Sequence, residues 1–150
     1  MEWIKALRGT VVGLDTAPLI YFIEENPSYL PVVRPFFEAV DRGEFQVATS
    51  ILTLTEVLVH PLRQGDHELA DNYRRILLHA DHVMTVPVSE TIAEEAAQLR
   101  ALHSLRTPDA IQLATAIRSG ASVFLTNDAR IPKLAGLRIL VLTELTKPTP

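Results

Sequence analysis

The chain has 150 residues, of which 47% are hydrophobic and 21% charged, a composition typical of one globular domain. It contains no cysteine, which excludes disulfides, zinc–thiolate sites and thiol nucleophiles. Its net charge of −4, from 18 acidic and 14 basic residues, argues against nucleic-acid binding, and no apolar run is long enough to span a membrane. We therefore expect a single domain over 1–150 in the cytoplasm, with an N-terminal extension at 1–9 and a frayed tail at 146–150.

Short β-like runs alternate with helical stretches along the chain. The first run, 10–14, precedes helices at 17–25 and 29–42, the second of which Gly43 ends. A strand at 45–49 leads into helices at 50–63 and 67–80, and a strand at 83–88 follows. Pro87 places that strand at an edge or at a strand end. Ser89 then suits the N-cap of a helix at 90–105.

The last third of the chain repeats the pattern. Thr107 is predicted to cap a helix that begins at Pro108 and ends at Gly120, and strands follow at 122–125 and 138–142 with a short helix or turn between them. Strands that alternate with helices favour a mostly parallel sheet with helices on both faces. The sequence thus predicts an α/β fold, a three-layer α/β/α arrangement around five strands.

Four acidic residues stand where such a fold gathers its functional groups. Asp15 directly follows the first strand, and Asp128 comes just after the fourth. Glu56 lies in the helix after the second strand, and Asp109 lies in the first turn of the helix that leads into the fourth. Because sites in parallel sheets form outside the carboxyl ends of the strands, these four residues are expected to meet there.

Each acid alone also has an ordinary structural explanation. Asp15 suits an N-cap, Glu56 completes a T-x-x-E capping box, Asp109 opposes a helix dipole, and Asp128 follows Asn127 in a turn pair. Together they suggest more, because clustered carboxylates repel one another and need a cation, and their hard oxygens suit Mg²⁺ or Mn²⁺. Without these four, acidic and basic residues would number 14 each, which weakens the objection from net charge.

The segments around the acids resemble motifs of the PIN-domain family, especially its VapC-type toxins of toxin–antitoxin pairs. The matching segments, which span about residues 10 to 143 in the family's order, are VVGLDTAPLIYFIE, TLTEVL, LRTPDAIQLATA and VFLTND. The resemblance implies a PIN-like three-layer fold and a metal-dependent endoribonuclease that uses Mg²⁺ or Mn²⁺. It also implies a small antitoxin protein, whose peptide covers the active-site groove, and a homodimer.

The same resemblance assigns roles to individual residues. Asp15, Glu56, Asp109 and Asp128 become catalytic carboxylates that bind the metal, and Thr126 orients the fourth acid or a water molecule on the metal. The extension at 1–9 departs from many members of the family, and Trp3, Ile4 and Leu7 give it a packing or interface helix. Basic residues that flank the acid segments are candidates to hold an RNA backbone, namely Arg63, Arg106, Arg130 and Lys133.

Two other functions remain open at this point. The first is a PIN-like domain without nuclease activity that acts as an interaction module. The second is an α/β phosphatase with Asp15 as nucleophile, although its pattern wants a second Asp two residues on, where Ala17 stands. A dinucleotide-binding fold lacks its glycine fingerprint, and no P-loop is present.

Overall fold

Every strand of the central sheet runs parallel to its neighbours in the computed structural model, which describes residues 1–146. The sheet has five strands in the order β3-β2-β1-β4-β5. The strands are β1 Val11–Leu14, β2 Gln46–Ser50, β3 Val83–Val86, β4 Val123–Thr126 and β5 Arg138–Val141. All five predicted strands are confirmed, and β3 lies at an edge, as Pro87 indicated.

The helices follow the predicted order with shifts of a few residues. They are α1 Glu2–Lys5, α2 Thr16–Ile23, α3 Leu30–Asp41, α4 Leu52–Gln64, α5 His67–Arg74, α6 Glu90–Leu102, α7 Thr107–Arg118 and α8 Leu142–Leu145. The Ser89 hydroxyl accepts a hydrogen bond from the backbone of Ile92 and caps α6, as predicted. No helix within residues 1–146 is long and apolar enough to cross a membrane.

Two apolar layers cover the two faces of the sheet. Buried side chains of α1 to α5 form one cluster with the strands, and those of α6 and α7 form the other. Helix α7 lies very close to the sheet, since a Cβ atom built on Gly13 of β1 would stand 2.5 Å from the Cβ atom of Ala116. The predicted three-layer α/β/α fold is confirmed, and α7 is tightly fixed in it.

Some predicted boundaries were wrong for local reasons. The helix at 67–80 ends as a π-helical turn, Arg75–His79, and Leu142 belongs to α8 instead of the last strand. Arg106, and not Thr107, is the N-cap of α7, and the Thr107 hydroxyl accepts a hydrogen bond from Arg100 instead. A pattern of apolar residues does not distinguish these neighbouring positions.

The predicted N-terminal helix is short but packed. Ile4 and Leu7 are buried in the cluster of α1 to α5, and the Trp3 ring stacks on Phe36 with centroids 6.0 Å apart. At the other end, Thr146 is the C-cap of α8, and its backbone N–H donates to the Leu142 carbonyl. Residues 147–150 of the predicted tail lie outside the described residues.

Candidate metal centre

The four predicted acids meet where β1, β2 and β4 end. Asp15, Glu56, Asp109 and Asp128 line one open pocket of about 430 Å³. Asp15 follows the last residue of β1, and Asp128 lies two residues beyond β4. Helices α4 and α7 bring Glu56 and Asp109 to the same place. Segments far apart in the chain thus present four carboxylates at one edge of the sheet, as the strand-end argument predicted.

Both oxygens of the Asp15 carboxylate have a fixed partner. Oδ1 accepts the backbone N–H of Thr16 at 2.9 Å, which caps α2, and Oδ2 accepts the Thr126 hydroxyl at 2.7 Å. Burial raises the pKa of Asp15, the two hydrogen bonds lower it, and the charges of Asp109 and Asp128 raise it again. The net direction is upward, because the burial of the charged carboxylate is the largest of these contributions.

Thr126 is fully buried and its hydroxyl is held from two sides. It donates to Asp15 and accepts the backbone N–H of Asp128 at 3.0 Å. The sequence analysis gave this hydroxyl to the fourth acid or to a water molecule. The structure directs it to the first acid, and it reaches Asp128 only through the backbone.

Glu56 lies on the exposed side of α4, facing the pocket. Partial burial raises its pKa, a hydrogen bond from the Thr16 side chain lowers it, and the charges of Asp15 and Asp109 raise it. The capping-box interpretation is wrong, because Ile51 is the N-cap of α4 and makes no side-chain hydrogen bond there. The Thr53 hydroxyl, which the capping box would need, is buried under the site.

The other two acids each pair with an arginine. Arg106 Nε lies 3.3 Å from Asp109 Oδ2, while Arg130 binds Asp128 through Nε at 3.0 Å and Nη2 at 3.1 Å. This hydrogen-bonded pair holds the pKa of Asp128 below its usual range. With these pairings, no three histidine, aspartate or glutamate side chains in residues 1–146 have an arrangement that could hold a metal ion directly.

Comparison with known proteins identifies the family of the chain. The sequence model of the PIN domain matches residues 12–137. The chain belongs to the PIN-domain family. The resemblance read from four motifs is therefore confirmed, and the matched range contains all four acids of this PIN domain. No curated protein matches the sequence at a significant level.

Solved structures share the fold of this PIN domain. A toxin–antitoxin complex from Klebsiella pneumoniae is 24% identical with a TM-score of 0.63, covering 86% of this chain and 95% of that one. VapBC2 from Rickettsia felis, bound to a DNA fragment from its promoter, is 15% identical with a TM-score of 0.66, covering 87% and 98%. Mycobacterium tuberculosis VapC20, a toxin that cleaves the sarcin–ricin loop, is 18% identical with a TM-score of 0.62, covering 77% and 87%.

Of the four basic residues proposed for RNA, two lie at the site of this PIN domain. Arg106 and Arg130 line the pocket with the acids, whereas Arg63 and Lys133 do not. The side chains of Arg106 and Arg130 are 75% and 82% exposed to solvent. They can therefore reach a ligand that approaches from solvent.

Sequence reasoning missed the polar residues beneath the acids. Gln112 is buried in α7, and Thr16, Thr49 and Thr53 are buried at the ends of β1 and β2 and in α4. They form one hydrogen-bonded group. Asn127, read as a turn residue, ties the end of β4 to α2 and α8 through its side chain. The available signal was a glutamine within the apolar run AIQLATA, where burial demands partners.

Proposed function

We propose that this chain is a divalent-metal-dependent endoribonuclease, in which Asp15, Glu56, Asp109 and Asp128 bind Mg²⁺ or Mn²⁺. The observation that carries the proposal is the meeting of these four carboxylates in one pocket of a PIN domain. A nuclease is the activity that a cluster of hard oxygen ligands beside exposed arginines supports best.

The donor set suits a hard divalent cation. Carboxylate oxygens are the ligands that Mg²⁺ and Mn²⁺ prefer. Burial raises the pKa of Asp15 and of Glu56, and the charges of neighbouring carboxylates raise both further, so a cation in the pocket would stabilise their ionised forms. Asp109 and Asp128 are now turned to Arg106 and Arg130. Metal binding by all four acids therefore requires these two carboxylates to give up part of their arginine contacts.

The protein's own groups have distinct tasks in this proposal. A bound divalent ion polarises a phosphoryl oxygen and lowers the pKa of water. The Thr126 hydroxyl fixes Asp15 Oδ2 in place, which keeps this buried carboxylate aimed at the pocket. Glu56, exposed to the pocket, orients the attacking water. Arg106 and Arg130 bind the RNA phosphates at the rim.

An antitoxin partner is part of the proposal because the matched structures include toxin–antitoxin complexes. A second cavity of about 370 Å³, separate from the acidic pocket, suits the apolar face of a partner helix, and its apolar lining includes Phe22, Ile23, Phe37, Val40, Ile76, Ala80 and Val83. We also propose that the chain forms a homodimer and acts in the cytoplasm. Co-purification with the product of the neighbouring gene, followed by measurement of the mass of the complex, checks both protein contacts.

The decisive experiment compares three variants with the wild-type chain on a pooled RNA substrate. Asp15→Asn and Asp109→Asn should abolish cleavage in Mg²⁺ or Mn²⁺ while leaving the fold intact by circular dichroism. Asp71→Asn is the matched control, since Asp71 is an exposed residue of α5 that pairs with Arg74 away from the pocket. EDTA should stop cleavage by the wild type and the control alike.

Full activity of both Asp15→Asn and Asp109→Asn would overturn the assignment of the site. A wild-type chain without EDTA-sensitive cleavage would favour the interaction module over the nuclease. The phosphatase alternative has no second Asp two residues after Asp15, where Ala17 stands. Release of phosphate from a monoester by the wild type, lost in Asp15→Asn, would favour it.

A further inference from the structure

A buried glutamine side chain lies directly beneath the acidic pocket. Gln112 of α7 is only 3% exposed, and it lines a cavity of about 270 Å³ together with Asp15, Glu56 and Asp109. Burying an amide costs free energy unless both of its ends are hydrogen-bonded. Both ends of Gln112 have partners, so the residue belongs to a structured polar group.

The shortest hydrogen bonds around Gln112 form one chain with a consistent direction. The backbone N–H of Ser50 is a donor, so the atom that it faces at 3.1 Å is the amide oxygen, and Nε2 must donate to Thr53 Oγ1 at 2.6 Å. Thr49 donates to the carbonyl of Leu14 at 2.8 Å, which is shorter than its 3.4 Å contact with Gln112 Oε1. With that proton used, the Thr53 hydroxyl donates to Thr49 Oγ1 at 2.8 Å. A backbone donor fixes one end of this chain and a backbone acceptor fixes the other.

Three members of this chain are close in sequence to one of the acids. The Leu14 carbonyl, at the end of β1, immediately precedes Asp15. Thr53 stands one helical turn before Glu56, and Gln112 stands one turn after Asp109. The chain therefore joins three separate elements at the points from which their carboxylates project.

We propose that Gln112 is a positioning residue of the metal centre, whose amide, acting through Thr53, holds α7 against α4 and so fixes where Asp109 stands relative to Glu56. This inference rests on the metal-dependent function proposed above. Gln112 does not touch the metal or the RNA in this role.

The physical need for such a link comes from the charges above it. Carboxylates that share one pocket repel one another, and the repulsion acts to separate the elements that carry them. A basic residue in the same buried position would compete with a cation for the acids. A neutral amide and two hydroxyls resist the separation without such competition, because their hydrogen bonds are stronger where water is excluded.

The test uses paired substitutions in the full chain. Thr53→Val removes the hydroxyl that Gln112 binds, whereas Thr53→Ser keeps it, and Gln112→Met removes the amide at similar length. Thr115→Val is the matched control, because Thr115 is also a fully buried hydroxyl of α7 and donates to the Ile111 carbonyl within the helix. Binding of Mn²⁺ alone is measured by electron paramagnetic resonance, beside thermal unfolding without metal and RNA cleavage at saturating Mn²⁺.

We expect Thr53→Val and Gln112→Met to raise the Mn²⁺ dissociation constant by about tenfold or more, a size typical of residues that orient metal ligands. Thr53→Ser and Thr115→Val should bind Mn²⁺ like the wild type, although Thr115→Val loses a buried hydrogen bond as well. Saturating Mn²⁺ should restore most of the cleavage by Thr53→Val, because the ligands themselves are intact.

The positioning role is overturned if Thr53→Val and Gln112→Met bind Mn²⁺ as tightly as Thr115→Val. It is also overturned if neither variant folds while Thr115→Val does, because the group would then be purely structural. A wild-type chain that binds Mn²⁺ but cleaves no RNA removes the proposed nuclease function and leaves the positioning role to be decided by affinity. A wild-type chain that binds no Mn²⁺ removes both.

Discussion

Replacing Gly13 with alanine tests how tightly α7 is fixed on the sheet. The added Cβ atom would stand 2.5 Å from the Cβ atom of Ala116 and 2.9 Å from a ring carbon of Phe124. Since carbon atoms in contact are separated by about 3.5 to 4 Å, α7 would have to retreat by about 1 Å. Asp109 and Gln112 belong to the same helix, so the shift would also reach the candidate metal centre.

The size of the effect follows from two opposing contributions. Extra atoms in a well-packed core cost about 1–3 kcal/mol, and the upper end applies because Ala116 and Phe124 are each only 1% exposed. Alanine is favoured over glycine in a strand by about 0.5–1 kcal/mol, which offsets part of this cost. We expect a net loss of about 2 kcal/mol in the free energy of unfolding, and with a urea m-value of about 2 kcal/mol/M the midpoint falls by about 1 M.

A double-mutant cycle isolates the contact. Ala116→Gly alone should cost about 1 kcal/mol, since glycine is unfavourable inside a helix. In the presence of Gly13→Ala it should instead recover stability, because it removes the atom at 2.5 Å; the Phe124 contact makes the recovery incomplete. Urea unfolding followed by circular dichroism measures all four proteins. Costs that add to within about 0.5 kcal/mol would refute the claim that α7 presses on β1 at this point.

Two further predictions concern charge at the site. Because burial raises the pKa of Asp15, its contribution to stability is present at acidic pH and is lost as the pH rises through that raised value, so Asp15→Asn should gain stability relative to the wild type as the pH rises above the ordinary aspartate value of 3.8 in EDTA. Urea unfolding at several pH values checks this, and a pH-independent difference would contradict it. Arg130→Gln, placed in the inactive Asp109→Asn chain, should lower the slope of log affinity for RNA against log salt by about 1, as fluorescence anisotropy would show. Lys133→Gln is its matched control, since Lys133 is exposed three residues away and does not line the pocket, and equal slopes would refute the role of Arg130.

Much of the fold could be predicted because its signals are periodic and local. Apolar β-branched runs identified all five strands, and Ser89 and Gly43 marked helix ends correctly. The strand-end rule then placed four acids at one edge without any knowledge of distances. The errors include the π-helical turn at Arg75–His79. They fall where a shift of one residue changes the assignment but leaves the apolar pattern the same.

The contacts within the site could not be predicted in the same way. Arg130 pairs with Asp128, its near neighbour in sequence. The hydrogen bond from Thr126 to Asp15, in contrast, joins residues 111 positions apart. The sequence showed a glutamine in an apolar helix and three threonines, and only the folded structure shows that they share one polar group. Long-range side-chain partners depend on packing, for which a single sequence has no periodic signal.

The structural and functional explanations of the acids turn out to be compatible. Helices that follow or precede parallel strands begin at the edge where the site forms, so a residue that caps such a helix also faces the pocket. Asp15 caps α2 and Asp109 stands in the first turn of α7, and the positive end of each helix dipole stabilises their charge. Asparagine caps a helix about as well as aspartate does, so Asp15→Asn keeps the cap and removes the charge. A folded but inactive Asp15→Asn chain would therefore show that cleavage needs the charge of Asp15. The capping role alone would affect stability and would leave cleavage intact.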